Sequence, residues 1–125
     1  MTLSIVREDP VRLGALIDIL CGAASSDEHI AQQEIAVVEA TLRKVLAVDV
    51  LPDSVQPRFA SFDRKAFDLG EALDRLAISA HEDGQALLDA AFAVIVADRF
   101  VDSGEYGFIA ELAGELGLPM PQQLA

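Results

Sequence analysis

Residues 15–34 of this chain lie over residues 86–105 without a gap, at a constant offset of 71. Ala15/Ala86, Leu16/Leu87, Asp18/Asp89, Asp27/Asp98 and Glu34/Glu105 are identical, and Ile17/Leu88 and Ile30/Val101 are conservative. Three acids kept in register within a largely apolar context indicate an internal duplication, and a duplication limits the fold to two similar units packed together. Each copy reads as a helix, a short acidic bend and a second helix.

The first copy opens at Asp9-Pro10, a helix start with Asp9 as N-cap and Pro10 in the first helical position. Leu13, Leu16, Ile17, Leu20 and Ala24 then recur at three- and four-residue steps until Ser25-Ser26-Asp27 interrupts them. A second helix is expected from about Ala31 to Ala47, with Ile35, Val38, Leu42, Val45 and Leu46 inward and Glu39, Arg43 and Lys44 outward. In the second copy Ser79-Ala80-His81-Glu82 has the capping-box pattern. The helix after it is apolar nearly all round, through Leu87, Leu88, Ala91, Phe92, Val94, Ile95 and Val96, and is expected to be the central one. Asp102-Ser103-Gly104-Glu105 is another capping box, opening a helix that Gly117 and Pro119 end. Between the copies, residues 50–62 carry Pro52 and Pro57 and suggest a loop with at most one short helix; a further amphipathic helix is expected from about Arg64 to Ile78. No stretch alternates apolar and polar residues long enough to suggest a strand. The expectation is a single all-α domain over residues 1–125, a compact bundle of five to seven helices with a pseudo-twofold duplication: one repeat at about 10–48, a linker and middle helix at 49–78, the other repeat at about 79–118.

At 125 residues with 52% hydrophobic composition the chain has enough apolar surface for one packed core. Charge-free apolar runs such as 19–26 and 90–97 last eight residues, against the roughly 20 that a spanning helix needs. The residues Met1 to Asp9 lack the long apolar run of a secretory signal. Cys21 is the single cysteine, so neither an internal disulfide nor a cysteine zinc cage can form. These features predict a cytoplasmic protein. Twenty-one acids against nine bases leave a net charge of −12, which repels nucleic-acid phosphates and anionic lipid and suits metal cations or basic proteins.

Asp27 and Glu34 are seven residues apart, as are Asp98 and Glu105, and each pair straddles a bend. Packed about a pseudo-twofold axis, the four carboxylates would approach one another and need a counter-charge, and oxygen clusters suit hard cations such as Ca²⁺, Mg²⁺ or Mn²⁺. Capping alone explains Asp102 and Glu105, and less of Glu34, whose copy has Ala31 at the N-cap position. Neither bend is an EF-hand: counting from Asp98, Ser103 stands where Gly is required and Ile109 where the bidentate Glu belongs. Asp18 and Asp89 sit nine residues before the bend acids, about 900° of helix rotation, and so face away from them. They read as solvated or paired acids of an outer face, or as contacts to a partner. His29, two residues after Asp27, is placed to complete a metal or proton-transfer site, but its match with Phe100 favours a packing position; His81 reads as a surface histidine, and Cys21, matched by Phe92, as core.

An Ala-rich apolar helix, then Asp, six residues, Glu, and a helix ending in Leu116-Gly117-Leu118-Pro119 resembles the TerB-like family of tellurite-resistance proteins. The family motif, Ala-Asp-Gly, five residues and Glu, stands here as Ala97-Asp98-Arg99 through Glu105 and, more weakly, as Ser26-Asp27-Glu28 through Glu34. The resemblance implies a compact all-helical bundle with an acidic, metal-binding surface, active in stress response, whose acidic residues would be Asp27, Glu34, Asp98 and Glu105. Glu28 and Arg99 occupy the positions of the family glycine, and Arg99 is placed to pair with a carboxylate instead of a cation. Three functions follow for comparison. The first is a non-enzymatic module binding a divalent cation or a basic protein partner at the bends. The second is a metal-independent interaction module using an apolar groove between the hairpins. The third is a hydrolase with Asp98 and Glu105 as acid and base.

Overall fold

The computed structural model describes residues 6, 8–24, 32–63, 65–78, 81–97 and 103–119, the side chains of 81 and 103–106 excepted. Its elements are six helices: α1 (Pro10–Ala24), α2 (Gln32–Leu46), α3 (Val55–Ser61), α4 (Leu69–Leu76), α5 (His81–Ala97) and α6 (Ser103–Leu116). Among the described residues there is no strand, so the all-α expectation holds, and no helix is long and apolar enough to cross a membrane.

Helix α1 starts where Asp9-Pro10 predicts. Asp9 Oδ1 accepts the backbone N–H groups of Val11 and Arg12 at 3.1 and 3.3 Å, satisfying two of the donors a helix start leaves open. The centre of the bundle is α1, which touches each of the other helices. Ala15 to Ala24 are all buried, and Leu16, Ile17, Ile19 and Leu20 almost completely; each such side chain contributes roughly 1.5–3 kcal/mol. This corrects the expectation that the later apolar helix is central. Phe92 of α5 is half-buried and Val96 is 45% exposed, so α5 keeps a solvent side that its composition hides.

The amphipathic α2 buries Val38, Leu42 and Leu46 and half-buries Ile35 and Val45, as its spacing predicts. Its end matches that of α6. In α2, Val48 N–H donates to the Arg43 carbonyl and Ala47 N–H to that of Lys44; in α6, Leu118 and Gly117 donate to Ala113 and Gly114. Both are Schellman ends with a left-handed residue, Ala47 at φ 57° and Gly117 at φ 69°.

The middle segment departs from expectation. Helix α4 begins at Leu69, not near Arg64, because Asp68 caps it: Asp68 Oδ1 accepts the Glu71 N–H at 3.1 Å. Asp63 Oδ1 meanwhile accepts the Lys65 N–H at 3.0 Å, closing a turn. Two aspartates offering local backbone bonds outcompete a helix through Ala66, which is exposed. The connection stays close to the core because Arg12 Nε donates to the Leu76 carbonyl at 2.7 Å, tying α1 to the end of α4.

Candidate functional site

Of the four predicted site acids, Asp27 and Asp98 lie outside the described residues, as do His29 and Phe100. Glu105 is placed in the first turn of α6, with its side chain outside the description. Glu34 is half-buried in the first turn of α2. Among the described residues no group of three or more His, Cys, Asp or Glu stands close enough to hold a metal ion. The acid–base pair Asp98 and Glu105 falls under the same limit.

The described site geometry centres instead on Asp18, in the middle of α1. Its side chain is only 12% exposed and takes two guanidinium groups. Arg58 of α3 donates through Nε to Oδ1 at 3.0 Å and through Nη2 to Oδ2, a bidentate pair. Arg75 of α4 donates through Nη2 to the same Oδ2 at 3.3 Å. Its Nε stands 2.7 Å from Glu71 Oε1, an ion-pair contact too bent to count as a hydrogen bond. The bond to Asp18 pushes the Arg58 pKa above its ordinary range, against burial, which acts the other way. Gly14 gives the clamp its room: a Cβ there would stand 3.4 Å from the Arg58 guanidinium. The outer-face reading of Asp18 is therefore corrected, while its pairing is confirmed. Asp89 is exposed, as expected, and accepts from Gln85 Nε2 at 2.9 Å.

The clamp forms the back of a cleft of about 290 Å³ that also takes in Phe62, Asp63, Phe67, Asp68 and Glu71. A second recess, about 310 Å³, shares Phe67 and Asp68 and adds Phe108 and Glu111. The half-buried Phe67 ring divides them, its centroid 6.0 Å from that of Phe62 and 6.2 Å from that of Phe108, with a stacked geometry to the latter. Gly22 lets this aromatic floor sit on α1, since a Cβ there would come within 3.0 Å of both the Phe67 and Phe108 rings. Five carboxylates, those of Asp18, Asp63, Asp68, Glu71 and Glu111, face two guanidiniums across the pair of recesses.

Cys21 is fully buried near the same place, and burial, followed by the Asp18 charge, pushes its thiol well above the ordinary value. It is a neutral core residue, as its match with Phe92 predicts. The Phe67 cleft has no counterpart among the predicted sites. Its sequence signals were present: glycines eight residues apart on a largely apolar helix, and phenylalanines at 59, 62 and 67 amid turn-forming aspartates.

A family model described as tellurite resistance protein TerB matches residues 13–123. No curated protein and no solved structure matches the chain.

Proposed function

This chain belongs to the TerB family, and from that premise we propose that it is a non-catalytic, acidic binding module of the cytoplasm that engages a protein partner without an ion. The observation that carries the reading is the double recess around Phe67, an aromatic floor with an acidic rim. An opening of a few hundred Å³ in which charged side chains surround an aromatic floor has the size of a binding site. Three of its carboxylates also serve the fold: Asp18 in the clamp, and Asp68 and Asp63 through one oxygen each, in the α4 cap and a turn. That commitment supports binding over chemistry. The test is capture of cellular partners by wild-type protein in the presence of a chelator. Retention with chelator and loss with Phe67→Ser supports the reading; loss with chelator alone refutes it.

A second reading, a divalent cation at the two bends, is favoured by one observation. Gly22, near the end of α1, lies under the ring of Phe108, near the start of α6, so these two helix ends occupy one end of the bundle. In the chain they adjoin the segments that carry Asp27 and Asp98, and Glu34 and Glu105 lie in the first turns of the helices that follow. Binding Ca²⁺, Mg²⁺ or Mn²⁺ to the native state would raise the melting temperature, and Asp27→Asn with Asp98→Asn would remove the rise. An unchanged melting temperature with all three ions retires this reading. Stress response, tellurite resistance included, is the setting proposed under either reading.

A further inference from the structure

We propose that the double recess takes a basic segment of a protein partner, its lysine or arginine side chains lying over Phe67 between Asp63 and Asp68 on one side and Glu111 on the other. The inference rests on the interaction-module reading and names the occupant. Four observations support it.

First, the rim keeps unspent negative charge. Arg58 and Arg75 are both engaged by Asp18, and Arg75 also by Glu71, so the two cations lining the cleft are already neutralised. Asp63 and Asp68 each accept a backbone N–H through Oδ1, and both residues are exposed, as is Glu111. Second, the floor is a partly exposed phenyl ring, and a cation over such a ring gains about 0.5–1 kcal/mol. Third, the acids are spread around that ring instead of gathered: no three among the described residues can hold a metal ion. Dispersed negative charge around an apolar floor matches dispersed positive charge on an apolar-backed chain, not a point ion. Fourth, a net charge of −12 attracts a basic segment from a distance and raises its on-rate.

The experiment is fluorescence anisotropy with a labelled lysine–leucine–glycine peptide and its glutamate counterpart, on the full chain. The lysine peptide should bind and the glutamate peptide should not. Asp63→Asn, Asp68→Asn and Glu111→Gln combined should weaken binding about tenfold. Asparagine still accepts the cap and turn bonds, so the fold is preserved, and thermal melts confirm it. Phe67→Leu, which keeps an apolar floor without the ring face, should weaken binding up to about fivefold. A control with the same charge removed elsewhere, Asp49→Asn, Asp53→Asn and Asp89→Asn, should change it less than about twofold. Equal weakening by both triple variants means diffuse attraction to an acidic surface and overturns the proposal, as does an unchanged affinity in Phe67→Leu. If partner capture persists with chelator while the lysine peptide fails, this occupant is wrong and the interaction-module reading stands.

Discussion

Asp18 and Asp89 occupy the same position in the two copies, four residues into identical Ala-Leu-apolar-Asp sequences, yet their surroundings are opposite. Asp18 is 9% exposed beneath two arginines from α3 and α4. Asp89 is exposed and bonded to a glutamine one turn earlier on its own helix. The difference comes from the linker. Residues between the copies fold over α1 and bring Arg58 and Arg75 onto it, and α5 receives no such cover at Asp89. Two stretches that read alike in sequence therefore need not give like sites, because the segment between them packs on Asp18 and not on Asp89.

Neutralising the two aspartates one at a time tests this contrast most directly. Asp18→Asn should cost about 2–3 kcal/mol in chemical denaturation, below the 3–5 of a fully buried pair because both arginines retain access to water. Asp89→Asn should stay within about 0.5 kcal/mol. Similar losses from both would show that the linker clamp is not what separates the copies.

The pair Cys21 and Phe92 sharpens it further. Because the folded thiol is held neutral, the unfolded chain ionises first as pH rises, so folding stability falls above the ordinary thiol value of about 9. The slope assigned to Cys21 approaches about 1.4 kcal/mol per pH unit there. Cys21→Ala should remove that slope relative to wild type, measured by urea denaturation across pH 8 to 10. Persistence of the full slope in Cys21→Ala would mean the thiol is not its source.

The smallest effect concerns the helix ends. Since α2 and α6 close with the same hydrogen bonds, the alanine in one and the glycine in the other differ mainly in backbone strain. Ala47→Gly should raise stability by about 0.5–1 kcal/mol, after the greater freedom glycine gives the unfolded chain is subtracted. A lowered melting temperature would show that the Ala47 methyl is needed for packing.

Much of the fold is visible in local residue chemistry. Asp9-Pro10 places the start of α1, Gly117 and Pro119 the end of α6, and apolar spacing the inward face of α2. Sequence periodicity makes the middle helix too long, because the apolar spacing of Ala66 and Leu69 does not register that Asp63 closes a turn and Asp68 caps a later helix start. The identity of the central helix was also hidden: α1 and α5 are comparably apolar, and only their neighbours decide which is enclosed. The candidate cleft draws on α1, α3, α4, α6 and the connection from α3 to α4, whose cooperation leaves only faint marks in the order of residues.

By itself, then, the chain's order of residues dictated an all-helical, strongly acidic domain of the TerB family, since periodicity, capping and charge act within a turn or two of each residue. Tertiary packing alone decided that α1 is the axis, that Asp18 is clamped while Asp89 is free of cover, and that Phe67 divides an acid-rimmed cleft. Those outcomes depend on contacts between residues far apart in the chain, such as Asp18 with Arg75 at a separation of 57, which no local pattern encodes.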